Sequence, residues 1–447
     1  TFDGRGRLTN IRYSAGAEIR RVKCGYDSAG YWNMLVDPLD RTNIWIRDAI
    51  GQAHTNVLAD GQSIVRAFDA HGNTTSITPP GRPAHSFNYD LVDQVTSYTP
   101  PVVGSATDKV SYTYHADREL ILISRPDGTT VTPGYNAGGQ LSTVTIPGGT
   151  CTLNYYTNGL LATNTVPGSA TLSYGYDGSL LTSLAWSGVV TGRVNYGYDN
   201  SFRLTSFNIN GGTAINYGYD LDDLLTNAGS CFYTRDALNG WLTGSTLSNV
   251  TDALSFNGFA EITNRSTVCN GTNLFACAYG YDAIGRITSR VEVIPGETNA
   301  WTYGYDPGGR LAQALSFTNG APGATNIYFY DANGNLTNRV EAGFSRTANY
   351  DAQDRLIWYS GGTNVYSACG DLTNRLANGT NTILRYDEFG DLLAATKVGV
   401  ITNVYYADGG GCRIGKATNG AFAKGWIYMG WLKPLAEIDA SSNLVSV

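Results

Sequence analysis

Residues 279–288 read YGYDAIGRIT, and residues 303–311 read YGYDPGGRL. In each stretch two tyrosines lie two positions apart, so their rings share one face of an extended strand. The aspartate and the residues after it form turns readily, because an aspartate side chain accepts hydrogen bonds from nearby backbone amides. An apolar residue then resumes the extended pattern. Each stretch therefore predicts a strand, a tight turn and a return strand.

The glycine between the two tyrosines also indicates a structure. In residues 196–199, which read YGYD, Gly197 faces away from the two rings. A strand position without a side chain lets another backbone or side chain approach closely. Because an isolated hairpin is marginal in water, we expect neighbouring hairpins to stack. Their tyrosines would then form cross-strand aromatic pairs, each worth ~0.2–1 kcal/mol.

The Tyr-Asp pattern recurs from one end of the chain to the other. With the aspartate position as a marker, 21 steps lead from Asp3 to Asp439, an average of about 21 residues per repeat. Degenerate occupants of the marker position are His115, Thr157, Ala368, Ala407 and Met429. Repetition at a fixed period indicates a repeat architecture. We predict one continuous array over residues 1–447, with about 22 repeats and no domain boundary.

The strongest repeats supply the positions that we expect to carry the structure. These positions are Tyr176, Asp177, Tyr198, Asp199, Tyr219, Asp220, Tyr281, Asp282, Gly285, Arg286, Tyr305, Asp306, Gly309, Arg310, Tyr330 and Asp331. Equivalent aspartates perform an equivalent task, which we interpret as turn capping. Catalysis instead needs a unique environment that shifts a pKa, so we expect no catalytic role for them.

Strand number constrains the architecture. Two strands per repeat give ~44 strands, and at ~4.8 Å between strands the sheet is ~210 Å across. Sheets of more than ~10 strands curl, split or flatten. A ring or spiral of this width is too wide for side chains to fill, since ~8 strands mark the packed limit of a barrel. We therefore predict an all-β fold of antiparallel hairpin repeats that form a spiralling, hollow sheet.

Composition excludes several classes of protein. Charged residues make up 15% of the chain and aromatic residues 12%, the reverse of a disordered sequence. No apolar run approaches the ~18 residues of a membrane-spanning helix. The chain has 30 basic and 37 acidic residues, a net charge of −7, and no basic block. We therefore expect neither a membrane span nor a nucleic-acid partner.

The pattern Tyr-x-Tyr-Asp-x-x-Gly-Arg-Leu-Thr, nearly intact at 279–288 and 303–311, resembles the YD-repeat or rearrangement-hotspot (RHS) family. The resemblance covers essentially the whole chain. It implies a spiralling β-sheet shell. In bacteria such shells commonly enclose a toxic region, as in the B and C components of insecticidal Tc toxins, whereas teneurins use a similar shell in cell-surface adhesion.

The sequence departs from the toxin-bearing members of that family. Their shells end in a core with aspartyl self-cleavage chemistry around Asp-Pro-x-Gly, followed by a toxin. Here Asp306-Pro307-Gly308-Gly309 shows part of that motif but lies inside an ordinary repeat, and eight residues follow Asp439. We expect neither self-cleavage nor a toxin within these residues. The absence of an initiator Met before Thr1 indicates a piece of a longer protein.

Other motifs for catalysis or cofactors each lack a required residue. Residues 410–416 (GGCRIGK) resemble a phosphate-binding loop, but Ala417 replaces the Ser or Thr that would hold Mg²⁺. His71 lies in a predicted turn and His115 at a repeat marker, which gives both a structural interpretation. No zinc-ligand or nucleophile-elbow motif is present. We predict no enzymatic activity, no cofactor and no metal.

Three functions remain open at this level. We favour the first, in which the chain is part of a non-enzymatic extracellular shell that encloses a cargo or toxin polypeptide. The second is a carbohydrate-binding or adhesion module. The third is a self-assembling filament or surface-layer element. The expected partner is accordingly an enclosed polypeptide, other copies of the chain, or carbohydrate. We predict a secreted or cell-surface location and a bacterial source.

Seven cysteines are scattered along the chain. Cys269 and Cys277 flank a turn-like stretch that begins with Asn270-Gly271, so a cross-strand disulfide is one interpretation in an oxidising compartment. The alternative, which we favour, is that the cysteines are small buried apolar residues.

Overall fold

The computed structural model describes residues 1–104, 108–430 and 433–446. These residues form 42 β-strands, labelled β1 to β42 in chain order, and no helix. The ladders are antiparallel and join strands that follow one another in the chain, within one unclosed sheet. The predicted all-β class and antiparallel hairpin repeats are confirmed. Over the described ranges, no helix is long and apolar enough to cross a membrane.

The chain divides into two compact units, each built from an earlier and a later segment. Unit 1 comprises Thr1–Phe87 and Tyr219–Ser360, and unit 2 comprises Asn88–Gly218 and Gly361–Val447. Each unit is described separately below. The sequence-based prediction of a single array concerns the repeat pattern, which continues through both units, and it stays a prediction.

The strands of unit 1 alternate with short turns. In its earlier segment they are β1 (Asn10–Ala15), β2 (Glu18–Tyr26), β3 (Trp32–Val36), β4 (Thr42–Arg47), β5 (Ala53–Val57), β6 (Ser63–Phe68), β7 (Thr74–Thr78) and β8 (His85–Tyr89), which runs past the unit boundary. In its later segment they are β21 (Leu225–Ala228), β22 (Cys231–Arg235), β23 (Leu242–Leu247), β24 (Val250–Phe256), β25 (Ile262–Cys269), β26 (Thr272–Tyr281), β27 (Ile287–Ile294), β28 (Glu297–Tyr305), β29 (Leu311–Thr318), β30 (Ala321–Tyr330), β31 (Leu336–Glu341), β32 (Phe344–Tyr350) and β33 (Leu356–Tyr359).

Unit 2 repeats the arrangement. Its earlier segment contains β9 (Val95–Thr99), β10 (Val110–Tyr114), β11 (Leu120–Ser124), β12 (Thr130–Tyr135), β13 (Leu141–Ile146), β14 (Gly149–Tyr155), β15 (Leu161–Thr165), β16 (Ala170–Asp177), β17 (Leu180–Gly188), β18 (Gly192–Tyr198), β19 (Leu204–Ile209) and β20 (Ile215–Tyr219), which ends at the boundary. Its later segment contains β34 (Gly362–Tyr366), β35 (Leu372–Ala377), β36 (Thr380–Tyr386), β37 (Leu392–Lys397), β38 (Ile401–Ala407), β39 (Arg413–Thr418), β40 (Ala421–Tyr428), β41 (Pro434–Ile438) and β42 (Leu444–Ser446).

Successive turns fall alternately at two edges of the ribbon of strands, because every strand reverses direction. The edge that follows the Tyr-Asp motif is called the aspartate edge, and its turns span five residues, as in 282–286 and 306–310. The other is called the opposite edge. In the later segment of unit 1 it has two-residue turns such as Asn319-Gly320, where φ is 49° and 80°. Such hairpin turns require positive φ at both positions, which asparagine and glycine adopt most readily.

A hydrophobic core forms in unit 2, where β39–β41 pack on β16–β19. Val190, Val194, Ile414, Ile427 and Ile438 are completely buried there. A Cβ at Gly425 would lie 2.9 Å from the Val190 side chain, so only glycine fits between these layers. Burial of each large aliphatic side chain contributes roughly 1.5–3 kcal/mol. Apolar contacts therefore help to hold the later segment of unit 2 against the earlier one.

The structure decides between the two interpretations of the cysteines. All seven are free. In the ladder of β25 and β26, Cys269 lies opposite Thr272 and Cys277 lies opposite Arg265. The two cysteines are therefore not cross-strand neighbours and form no disulfide. Cys277 is 2% exposed and behaves as a small buried residue.

Candidate functional site: the aspartate edge

The aspartate of each strong repeat organises its turn. Asp282 Oδ1 accepts hydrogen bonds from the amides of Ile284 and Arg286, both at 3.0 Å. Asp282 Oδ2 accepts the Arg286 Nε hydrogen at 2.7 Å. Gly285 between them has φ of 84°, a conformation that glycine adopts at no steric cost. The motif Asp-x-x-Gly-Arg is therefore one hydrogen-bonded turn.

The carboxylates in these turns are stabilised in their charged form. Burial opposes ionisation of Asp282, but hydrogen bonds from the Arg286 amide and guanidinium outweigh it, and the pKa of Asp282 lies below its ordinary value. In Asp199, the hydrogen bond from the Arg203 amide is the largest influence, and the pKa is again lowered. A raised pKa would suit a general acid. The pKa values of these aspartates are lowered instead, which does not suit a general acid.

The second tyrosine of each repeat bonds to the preceding repeat. Tyr281 Oη donates to the carbonyl of Ile262 at 2.7 Å, and Tyr305 Oη donates to that of Ile287 at 2.6 Å. Tyr198 and Tyr330 make the same bond to Leu181 and Leu311. In each case the acceptor lies at the start of the preceding return strand. This bond links repeat to repeat along the edge.

An arginine packs on the ring of two of these tyrosines, Tyr305 and Tyr330. The Arg286 guanidinium lies 4.1 Å from the centroid of the Tyr305 ring, and that of Arg310 lies 5.0 Å from the Tyr330 ring. Such cation–π contacts contribute ~0.5–1 kcal/mol when exposed. We expected cross-strand tyrosine pairs at these positions. Aromatic pairing occurs elsewhere, for example between Tyr156 and Tyr176, whose centroids are 6.1 Å apart.

The glycine between the tyrosines accommodates a hydroxyl group from the return strand. A Cβ at Gly197 would lie 2.5 Å from Ser206 Oγ. Gly280 and Ser289 are arranged in the same way. The predicted close approach at Gly197 is therefore confirmed, and its partner is a serine side chain.

The structure places the predicted repeat positions at the ends of strands and in the turns that follow. Tyr176, Asp177, Tyr198, Tyr219, Tyr281, Tyr305 and Tyr330 end strands, whereas Asp199, Asp220, Asp282, Gly285, Arg286, Asp306, Gly309, Arg310 and Asp331 lie in five-residue turns. Asp177 departs from the pattern. It pairs with Leu180 across the two-residue turn Gly178-Ser179, so this turn is shorter than the others.

Three marker positions were predicted one residue away from where the structure has them. The turn-closing amide and carbonyl belong to Tyr156, Ser367 and Asp408, not to Thr157, Ala368 and Ala407. His115 and Met429 occupy the marker position as predicted. At two of these positions a tyrosine or a serine replaces the aspartate, so no acidic residue identifies the turn. At the third, the acidic residue is Asp408 itself, one position after the predicted marker.

Within unit 1 the aspartate edge of the later segment contacts the opposite edge of the earlier segment. Arg20 donates to both carboxylate oxygens of Glu261, with Nη1–Oε1 at 2.5 Å and Nη2–Oε2 at 2.8 Å. Arg20 is 8% exposed, and its guanidinium stacks 3.8 Å from the Phe259 ring. The two partners are 241 residues apart. A bidentate, partly buried pair of this kind fixes geometry as well as contributing energy.

A second ionic contact joins the same two segments of unit 1. Arg82 Nη2 lies 2.5 Å from Asp331 Oδ2, and Arg82 Nε lies 2.6 Å from Asp354 Oδ1. Asn335 Nδ2 donates to both carboxylates, at 3.0 Å and 2.6 Å. One arginine of the earlier segment thus holds two consecutive turns of the later segment.

Unit 2 has the corresponding contact, in which neutral side chains of the earlier segment also donate hydrogen bonds to the later one. Trp186 Nε1 donates to Asp408 Oδ2 at 2.9 Å, while Asp408 Oδ1 caps its own turn by accepting the Gly410 and Cys412 amides. Asn164 Nδ2 donates to the Gly409 carbonyl at 2.8 Å. These partners lie 222 and 245 residues apart, close to the separation in unit 1. In both units the aspartate edge of the later segment therefore contacts the opposite edge of the earlier segment, after a similar length of chain.

The residues that were rejected above as parts of catalytic motifs lie in turns and strands of the repeats. Residues 410–416 lie in the 408–412 turn and in β39. The amide of His71 donates to Asp69 Oδ1 within its turn. In the part of the chain that the structure describes, no three His, Cys, Asp or Glu side chains are grouped as metal ligands.

Hairpins with capped aspartate turns, each tied to the previous one by a tyrosine hydroxyl, define a YD-repeat sheet. The model of the Teneurin YD-shell family matches residues 1–435. The chain belongs to this family. No curated protein matches it in sequence.

Solved structures show the same fold. The TcdB2-TccC3 crystal structure aligns with a TM-score of 0.68 and 13% identity, over 100% of this chain and 32% of that chain. The TcdB2-TccC3-Cdc42 crystal structure aligns with 0.66 and 12%, over 100% and 32%. The Photorhabdus luminescens Tc holotoxin pore aligns with 0.56 and 12%, over 99% and 33%. This chain thus has the fold of an RHS shell and spans about a third of the length of the matched chains.

Substitution of Asp282 tests the capping role. Asp282→Ala removes the acceptor of two amides and of the Arg286 guanidinium, and we expect the free energy of unfolding to fall by about 1–3 kcal/mol. Asp282→Asn is the matched control, because Asn136 and Asn257 already make both amide bonds at this position. Chemical denaturation should show a smaller loss for Asn than for Ala. Equal losses would contradict the capping role.

Removal of a single hydroxyl tests the bond between repeats. Tyr305→Phe keeps the ring under Arg286 and deletes only the donor to the Ile287 carbonyl. We expect a loss of about 1 kcal/mol in unfolding free energy. Tyr13→Phe, at a side chain that is 53% exposed, is the control and should leave stability unchanged. If both variants melt like the parent protein, the hydroxyl does not link the repeats.

The Arg20–Glu261 pair predicts a pH dependence. Hydrogen bonds from Arg20 lower the pKa of Glu261 below its ordinary value of 4.5. A lowered folded-state pKa gives stability that is present above pH 4.5 and is lost as pH falls below it. Between pH 6 and pH 3 the Glu261→Gln variant should therefore lose less thermal stability than the parent chain. An identical pH profile for both would show that the pair does not ionise as described.

Proposed function

We propose that this chain is a section of the wall of an extracellular, non-enzymatic RHS-type shell that encloses a polypeptide. The observation that supports the proposal most directly is the recurring edge contact. In each unit, turns of a later segment bind the edge of a segment that lies 222 to 272 residues earlier. A ribbon whose edges bind one another forms a wall without gaps, and a wall of this width cannot be filled by its own side chains.

The neighbouring structures support an enclosed partner. They are complexes of TcdB2 with TccC3, and one is a Tc holotoxin pore. By analogy, the partner of this chain is a polypeptide and its location is outside the cell, with a bacterial source. The absence of enzymatic activity is part of the same proposal, since the capping aspartates serve equivalent turns and the pKa values of Asp199, Asp282 and Asp306 are lowered.

Imaging of the purified chain tests the proposal. We expect electron microscopy to show discrete curved walls around an empty volume, and small-angle scattering to give a compact particle. Arg20→Glu places two acidic groups together at the contact with Glu261 and should expand the particle. Arg21→Glu, at the exposed neighbouring residue, is the matched control and should not. Regular fibres, or a solid particle with no internal volume, would contradict the shell.

A further inference from the structure

One face of unit 1 carries aromatic and charged side chains on adjacent strands. Tyr279 of β26 pairs with Arg290 of β27, which pairs with Trp301 of β28. Further along, Tyr328 of β30 pairs with Arg339 of β31. Paired residues in a ladder point to the same face. Tyr303, two residues after Trp301, shares that face, and so does Tyr281, two residues after Tyr279. We call this surface the aromatic band.

Two arginines in the band form matching clusters. The Arg290 guanidinium lies 4.8 Å from the Trp301 ring centroid, and that of Arg339 lies 5.8 Å from the Tyr328 ring centroid. Each arginine opens the triplet Arg-Val-Glu and forms an ion pair with the glutamate of its own strand, Arg290 with Glu292 and Arg339 with Glu341. Both clusters are therefore electrically neutral, which favours a neutral ligand over an anion.

Three polar atoms in the band are buried and have no hydrogen-bond partner among the residues that the structure describes. They are Arg290 Nε, Arg339 Nε and Asn326 Oδ1. Asn326 lies on β30 two residues before Tyr328, and it pairs with Glu341. Buried polar atoms are almost always hydrogen-bonded, and one without a partner is destabilising. The band thus carries both donors and acceptors of hydrogen bonds.

A cavity continues the band towards β24. Its volume is about 470 Å³, and Asp252, Arg265 and Tyr279 line it. Arg265 pairs with Cys277, two residues before Tyr279, so it faces the same side as the band. Arg265 and Asp252 also form an ion pair, at 3.6 Å. Ligand sites in proteins are typically ~300–1,000 Å³. From β24 to β31 the face extends ~34 Å, which is seven steps of ~4.8 Å.

We propose that the aromatic band of unit 1 is a binding site for a neutral oligosaccharide. Sugar rings present an apolar face of CH groups that stacks on Trp301, Tyr303 and Tyr328, and hydroxyl groups that both donate and accept hydrogen bonds. The guanidinium groups of Arg290 and Arg339, on side chains that are each 35% exposed, donate to those hydroxyls. The length of the band matches a chain of several sugars. This site goes beyond the proposed function and does not depend on whether the chain encloses a polypeptide.

Titration calorimetry on the full 447-residue chain tests the site with maltohexaose, cellohexaose and chitohexaose as probes. We expect at least one of them to bind, and its affinity to fall about tenfold or more, at least 1.4 kcal/mol, in Arg290→Met, Arg339→Met and Trp301→Ala. The two methionine variants keep the aliphatic stem and lose the donors, so they remain informative if Trp301→Ala does not fold. Arg413→Met, which removes an arginine stacked 4.4 Å from Tyr405 in unit 2, is the matched control and should bind normally.

Three results would overturn the proposal. One is that none of the three hexasaccharides binds. Another is that they bind equally well to the parent chain and to the band variants. The third is that a reduced, carboxymethylated polypeptide binds the band in place of the sugars. None of these results contradicts the shell, which imaging tests separately.

Discussion

The strong repeats depend on one interaction, the acceptance of backbone amides by the aspartate carboxylate, to which an arginine adds a further hydrogen bond in turns such as 282–286 and 306–310. Without it, a five-residue turn leaves its amides unpaired, and unpaired amides are costly where the next repeat covers them. The same arginine then packs on the tyrosine of the following repeat, as Arg286 does on Tyr305. A local turn is thereby converted into a link between hairpins. This explains why the residues Tyr, Asp, Gly and Arg recur together.

The capped turns also have a second role, because they form the edge that the later segments present to the earlier ones. In unit 1, Glu261 closes a turn and binds Arg20, while Asp331 both caps a turn and binds Arg82. In unit 2, Asp408 caps its turn with one oxygen and accepts the Trp186 indole with the other. A carboxylate has enough acceptor sites for both tasks. The contact between segments thus uses acceptor sites of the carboxylates that remain after the turn is closed.

Interactions within a repeat could be predicted from the sequence, and interactions between distant repeats could not. The turn at Asp282 and the close approach at Gly197 follow from residues a few positions apart. The partners of Arg20 and Arg82 do not, because a 21-residue period does not reveal how many repeats separate two contacting edges. The core around Val194 was missed for the same reason, since its repeat looks ordinary until Ile427 covers it. At Asp177 the motif misleads, because a two-residue turn replaces the capped one.

In unit 1, turns of the later segment lie against the edge of the earlier one at a defined register. A disulfide between residues 81 and 332 tests it directly, since a Cβ at Gly81 would lie 3.2 Å from the Ala332 Cβ, near the ~3.8 Å typical of disulfides. Gly81→Cys with Ala332→Cys, in a chain whose native cysteines are replaced by serine, should cross-link within one molecule on mild oxidation. Mass spectrometry of the digested protein should then recover the two linked peptides. If no link forms, or if it forms only between molecules, the account of the edge contact is wrong.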